Sequence, residues 1–593
     1  MVAIDNYTRQ INVLNKLPSD LLAKMQLSQM GQKETIDVVV MYGNEFEDVN
    51  KYINSIQGSL YDLGYGFGIV TISVANLPQI FGYNKIQYAE LPKSLFLSDS
   101  ISNVAVCADK VQNEFKLTGK GVIVGFIDSG IDYTHNAFRN DDGTTRIEYI
   151  FDLSGADTVY NKEQINNALK NSDPYALVPV NDITEHGTHV AGIACAGGKI
   201  DKKYYGVAPE SSIIMVKSGR GLFSLSTQVM KGIKFLIDKS KELNMPIIIN
   251  MSLSTNDGAH DGSSLLEKYI DTISTVERVT IVISAGNEGD AAHHIGRVID
   301  KETLVKFNVA EDETAIIINL YKSLLPDITI EIIAPTGASS GQIKVEQGYK
   351  AGVISRNRYQ VYDTGPKPFD IIGEIGISLI SAGNYILPGE WTIRMTKDNE
   401  YQGTFDMWLP ISEGLNRSTR FLEPTVYNTL GIPATVKSVI SVGSYNNRTS
   451  TVSSFSGRGK QNQSENIKPD IVAPGENISS SVPGGNFDIK TGTSMAAPHV
   501  SGCAALMMQW GLLQGNDPFL FGERLKYYFI KGARRERLDI IYPDPSFGYG
   551  EICVYRSINI VIEDLKILLS NEPDLYRNKS EYNLGTLFIR IPN

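Results

Sequence analysis

The chain has 593 residues, enough for two to four domains, each with its own core. Hydrophobic residues make up 42% and charged residues 20%, the balance of a folded globular protein, which excludes a disordered or fibrous chain. A net charge of −11 argues against nucleic acid as the main partner, and no apolar run approaches the ~20 residues of a membrane-spanning helix.

In chain order, the first 34 residues offer one short helix, Asp20 to Met30. They lack a charged segment followed by an unbroken apolar stretch, so no signal peptide is read there and a cytoplasmic location is expected. Residues 36–90 read as strand Ile36–Val40, helix Phe46–Leu60, strand Gly68–Ser73, short helix Leu77–Phe81 and strand Ile86–Glu90. This is the β-α-β-β-α-β order of a ferredoxin-like unit. Leu91 to Asn113 is an irregular connector.

From residue 121 to 285, short apolar strands alternate with helical periods. Val122–Asp128, Ser212–Lys217, Ile247–Met251 and Thr280–Ser284 are near-continuously apolar, with helices Val190–Ala196, Thr227–Leu243 and Ser264–Glu277 between them. The pattern predicts an α/β fold: a parallel sheet covered on both faces, with its functional groups at the carboxyl ends of the strands. Between 300 and 425 the helices vanish. Val305–Val309, Thr314–Tyr321, Ile328–Ala334, Tyr359–Asp363, Ile371–Ile380, Trp391–Met395 and Thr404–Leu409 predict an inserted β-sandwich of jelly-roll type. The α/β pattern resumes at Val436–Val442 and continues to helices Phe521–Lys531 and Arg556–Leu569. Cys107, Cys195, Cys503 and Cys553 show neither paired spacing nor a metal pattern. They are read as buried free thiols, which suits a reducing compartment.

Three stretches carry chemistry. In Thr491-Gly492-Thr493-Ser494-Met495-Ala496-Ala497-Pro498-His499-Val500, a serine opens a buried helical run that extends to Met508. The free N–H groups and dipole of a helix start favour negative charge, which suits a nucleophile whose reaction develops an oxyanion. A serine needs a base, and the base an orienter. The strand Val122–Asp128 ends in a carboxylate, and His186-Gly187-Thr188-His189-Val190-Ala191-Gly192 opens a helix with a histidine.

In the order Asp128, His186, Ser494, these stretches resemble the motifs of the subtilase (subtilisin-like) serine proteases. Ser284-Ala285-Gly286-Asn287-Glu288-Gly289 is similar to the segment that supplies that family's oxyanion-hole asparagine. The resemblance implies a subtilisin-like three-layer fold and a catalytic set of Asp128, His186, Ser494 and Asn287, with His189 structural. It implies that Ser252-Leu253-Ser254 and Ser218-Gly219-Arg220-Gly221 pair with the substrate strand. Ser284, Ala285 and Gly286 would form the far wall of the first pocket. The family usually has glycine where Ser254 stands, so that pocket is expected to be narrowed. Residues 1–97 become a ferredoxin-like propeptide bound in the cleft, with a cut near Phe96 to Ser100. Residues 98–299 and 426–593 become the two parts of the catalytic domain, the second with a C-terminal tail, and 300–425 the insert.

Propeptide and insert together resemble the Csp germination proteases of clostridial spores. That likeness implies limited proteolysis of a zymogen, a spore cortex hydrolase, by a spore-packaged monomer acting on protein or peptide. No nucleic acid, membrane or cofactor is implied. A general intracellular or gut-bacterial subtilase stays open, as does a signalling pseudoprotease that acts by binding. Many subtilases bind calcium through a carboxylate at the position of Ala137 and a loop at Gly197–Lys203; the residues here oppose it, and no metal is expected.

Overall fold

Apolar residues on both faces of the Ile123–Asp128 strand put it in the middle of a sheet, and all six of its residues are buried. Ile247–Met251 and Ser212–Lys217 flank it, both parallel to it. Outward lie Val279–Ser284, Ile440–Asn446 and Ile471–Pro474 on one side and Ile147–Asp152 on the other, all parallel to their inner neighbours. Two short antiparallel strands, Thr451–Val452 and Thr158–Asn161, close the edges. Helices His186–Cys195 and Thr493–Met508 pack with one core on one face, while Ser226–Leu243 and Leu265–Ile273 cover the other. The computed structural model describes residues 35–73, 76–90, 92, 94–97, 104–219, 223–368, 370–461 and 466–570. The helix expected at Asp20 to Met30 lies outside them.

The N-terminal unit is a four-stranded antiparallel sheet in the order Ser59–Gly64, Phe67–Ser73, Thr35–Met41, Tyr88–Glu90. Its first helix is Phe46–Ser55, shorter than the Phe46–Leu60 expected. Gln57 adopts a left-handed conformation that ends the helix and turns the chain into the Ser59–Gly64 strand. Glutamine is rare at such φ, so no stop signal was visible. One sheet face, Val39, Leu63, Phe67, Ile69 and Tyr88, joins the core formed by helices Ser226–Leu243 and Leu265–Ile273. Phe67 meets Tyr269 edge-on, with centroids 5.5 Å apart.

The insert is two antiparallel sheets, one of six strands and one of five, closed over a core that includes Phe307, Ile330, Trp391, Ile393 and Phe405. Strands His294–Val298, Gly348–Ile354, Ile343–Lys344 and Arg420–Phe421 escape the sequence pattern. Gly348–Ile354 is an edge strand with a single buried residue, Ile354, and so without apolar alternation. The insert is docked against the α/β body. Trp408 stacks on His260 at 4.2 Å and on His294 at 4.7 Å, and its indole N–H donates to Asn428 O at 3.0 Å.

One expectation fails. Cys107 and Cys553 are joined by a disulfide with Cα atoms 5.1 Å apart, while Cys195 and Cys503 are free and buried. The pair is 446 residues apart in sequence. It meets because the Ala108–Phe115 helix packs on the C-terminal helix Val554–Ser570, so no local spacing could reveal it. Among the described residues, no helix is long and apolar enough to cross a membrane.

Candidate active site

Asp128 ends the central strand and is 1% exposed. Its Oδ1 accepts from His186 Nδ1 at 2.7 Å and from Ser129 N at 2.7 Å. The His186 helix reaches the strand end only because residue 187 is glycine. A Cβ there would stand 2.1 Å from Gly130 O and 3.0 Å from Asp128 Oδ1. Ser129 Oγ accepts from Gly187 N at 2.9 Å and donates to Asp182 Oδ1 at 2.7 Å. Asp182 Oδ2 takes both donors of Thr188, which locks the helix start. With Nδ1 donating to Asp128, the Nε2 of His186 is left as the basic nitrogen. His189, one turn on, puts its Nε2 3.3 Å from Asp488 O, and burial holds its pKa down at about 3.

Ser494 lies in the first turn of the Thr493–Met508 helix. Its Oγ donates to Ser252 O at 3.2 Å, and Ser252 Oγ donates back to Ser494 O at 2.9 Å. Asn250 supports this pair, donating to Ser252 Oγ at 3.1 Å and accepting from Ser501 Oγ at 2.8 Å. Asn287 sits beside the same turn, its Oδ1 accepting from Thr493 N at 2.9 Å. The fold thus brings Asp128 and His186 into direct contact and sets Asn287 and Ser252 against the Ser494 turn.

A strand of the connector occupies the cleft. The backbone of Ser94–Leu97 pairs antiparallel with Phe223–Leu225 on one side and Leu253–Ser254 on the other. Ser494 is 0% exposed and His186 3%. Of the two segments expected to pair with a substrate strand, one pairs with the connector through Leu253–Ser254. Of the other, Ser218 and Gly219 do not pair with the connector, and Arg220 and Gly221 lie outside the described residues. Gly219 is at φ 83, and a Cβ on it would meet Phe223 O at 1.9 Å, so the chain doubles back there. Ser218 N instead donates to Asp128 O at 2.8 Å. Among the described residues the pairing edge is Phe223–Leu225, too short a strand to show any period in the sequence. Ser284 ends its strand and is buried, and Ala285 O and Gly286 O accept from Gly431 N and Gly457 N at 2.8 and 2.9 Å.

Two further groups escaped notice in the sequence. Glu288 follows Asn287 and ties the insert to the site, accepting from His293 Nδ1 at 2.6 Å and Ser412 Oγ at 2.8 Å. Arg146 is buried and donates to the carbonyls of Ala137, Cys195 and Ser211. Ala137 and Cys195 belong to the neighbourhood where the resemblance would put calcium. A guanidinium there supplies positive charge to those carbonyls, so the residues present do not fit the ion.

The chain matches the family described as Subtilase family over residues 119–324 and 379–550. Residues 5–93 match the family described as Csp protease B prodomain. The PI-type proteinase of Lactococcus lactis subsp. cremoris is 23% identical over 542 residues, covering 82% of this chain and 28% of the relative. The minor extracellular protease Vpr of Bacillus subtilis (strain 168) is 25% identical over 435 residues, 66% of this chain and 46% of the relative. The chain therefore spans less than half the length of these curated relatives. The solved structure of the Clostridium perfringens CspB protease is 53% identical with a TM-score of 0.75, over 78% of this chain and 97% of that one.

Proposed function

The chain belongs to the subtilase family of serine peptidases, and on that premise we propose that it is an endopeptidase that cuts its own connector and then activates a protein zymogen by limited proteolysis. The observation that carries this reading is the Ser94–Leu97 strand, paired on both edges in the cleft that holds Ser494. A substrate strand would bind the same way, with affinity from backbone pairing and selectivity from pockets.

In this reading Ser494 Oγ attacks the scissile carbonyl and its proton passes to His186 Nε2. Asp128 holds Nδ1–H and stabilises the imidazolium without taking its proton. The Asn287 side-chain N–H and the Ser494 backbone N–H receive the oxyanion. The tetrahedral intermediate collapses as His186 protonates the leaving amine, and water then releases the acyl group by the reverse relay. For the chain's own connector, pairing of Ser94–Leu97 in the cleft would supply the carbonyl to the nucleophile intramolecularly, at high effective concentration.

The Csp-type prodomain and the identity to the C. perfringens CspB protease favour a substrate of the kind that group activates, a spore cortex hydrolase zymogen during germination, with the peptidase packaged in the spore as a monomer. The test is incubation of the processed protein with a purified cortex hydrolase zymogen and, separately, with unfolded casein. A clean single cut in the zymogen with little casein digestion supports the reading; broad digestion of both contradicts it. A second reading, a binding protein held shut by its own connector, draws on the full burial of Ser494.

A further inference from the structure

We propose that Glu288 is a positioning residue that holds the oxyanion donor Asn287 in place through the inserted β-domain, so that the insert takes part in catalysis as well as in packing. The proposal rests on the catalytic assignment above. Asn287 lies where the chain leaves the α/β body. Strand Val279–Ser284 ends just before it, and His294–Val298, the first strand of the insert, begins soon after it. On the body side this segment is held by backbone bonds. Gly457 N donates to Gly286 O and Gly289 N to Phe455 O, both at 2.9 Å. A Cβ on Gly289 would stand 2.3 Å from Ser456 O, so the two runs lie in close contact.

The Glu288 side chain is bonded to the insert instead. Its Oε1 accepts from Ser412 N at 3.0 Å and from Ser412 Oγ at 2.8 Å. Its Oε2 accepts from His293 Nδ1 at 2.6 Å, and His293 Nε2 lies 3.1 Å from Thr419 O. The loop that carries Ser412 and Thr419 is fixed in turn by Glu313, whose Oε1 accepts from Asn416 N at 2.8 Å and Thr419 Oγ1 at 2.6 Å. Glu288 is 2% exposed, and a buried carboxylate is costly unless donors fill its acceptor sites. If the insert shifts, Glu288 must follow it or lose those donors, and Asn287 is its direct neighbour in the chain. A displacement of about 1 Å at a catalytic group can cost about 100-fold in rate. Docking alone does not account for a carboxylate at this position, because the Trp408 stack on His260 and His294 already seats the insert on the body.

The test is a double-mutant cycle on self-processing of the full chain, read as the first-order rate of connector cleavage after refolding. Glu288→Ala should slow cleavage at least ~10-fold. Glu288→Gln should recover most of that loss, because its amide oxygen can accept from Ser412 while its nitrogen donates to His293 Nδ1. Ser412→Ala, which keeps the Glu288–His293 pair, should slow cleavage less. Since Glu288 acts through Asn287, the losses should not add: the Asn287→Ala/Glu288→Ala chain should cut about as slowly as Asn287→Ala alone. A double variant slowed by the product of the two single losses, a Glu288→Ala chain that cuts at the wild-type rate, or a Glu288→Gln chain as slow as Glu288→Ala each overturns the proposal while leaving the peptidase assignment intact. Processing that persists in Ser494→Ala instead removes that assignment, and the proposal with it. Melting temperatures show whether each variant is folded at the assay temperature. If Glu288→Ala is not, the same cycle with Ser412→Ala decides: a loss that vanishes in the Asn287→Ala background supports the proposal, and one that persists in full overturns it.

Discussion

Asn287 Oδ1 accepts two hydrogen bonds from Thr493, from the backbone N at 2.9 Å and from Oγ1 at 3.0 Å. Thr493 immediately precedes Ser494, so the turn that presents the hydroxyl also orients the amide. With its oxygen engaged, Asn287 offers the cleft only N–H donors. Asn287→Ala should slow self-cleavage by ~10²–10³-fold without abolishing it, the usual effect of losing one oxyanion donor. Thr493→Val removes one anchor of two and should cost less. Rates of connector cleavage after refolding check both, and an Asn287→Ala chain that cuts at the wild-type rate would remove Asn287 from the oxyanion hole.

Three buried histidines make the fold sensitive to acid. Burial holds His189 and His260 at a pKa of about 3 and His499 at about 4. Each is neutral when folded and takes up a proton on unfolding below about 6.5. The stability each contributes is complete above that pH and is lost as pH falls toward the folded value. At pH 5 the loss is about 2 kcal/mol per histidine. Thermal melts from pH 7.5 to 5 should show a steep fall. His260→Phe, which keeps a ring on Trp408 but cannot titrate, should flatten it. A flat melting curve across this range would contradict the assignment.

Arg146 bears on calcium. Its guanidinium serves three carbonyls, two of them, Ala137 and Cys195, in the region where the resemblance would put the ion. Chelator should therefore leave the melting temperature within a degree or two. Arg146→Met should lower stability by roughly 3 kcal/mol or more, because buried carbonyls lose their donors at about 1–3 kcal/mol each. A chelator-induced drop of many degrees in the wild type would show that a cation site lies elsewhere in the chain.

The Cys107–Cys553 bond ties the C-terminal part of the connector to the start of the C-terminal helix. Both cysteines lie beyond Phe96 to Ser100, so with a cut there the bond stays within the processed body. Reduction, or Cys553→Ser, should cost about 2–4 kcal/mol in denaturant midpoints, the usual range for such a cross-link. Intact mass with and without thiol alkylation checks that the bond forms. Four alkylated cysteines in the unreduced protein would contradict it.

The sequence was most legible where chemistry restricts residue type. His186 needs Gly187 because a Cβ would collide with Gly130 O at 2.1 Å. The Ser494 helix needs small residues because all sixteen of its residues, Thr493–Met508, are buried. What could not be read depends on distant segments meeting. Phe223–Leu225 forms an edge only because the connector lies beside it. Gly431 packs against Ser254 and Gly286, far from it in sequence. His293 and Ser412 converge on Glu288 only through the folding of the insert. No local period records such meetings.

The central claim is that Ser494 cleaves the connector of its own chain. The direct measurement is a gel with intact mass of freshly purified wild type beside Ser494→Ala. The account predicts a wild type divided between residues 91 and 113, at a rate independent of protein concentration, and a Ser494→Ala chain that stays whole. A Ser494→Ala chain divided at the same place would show that another protease makes the cut, and the account would fail.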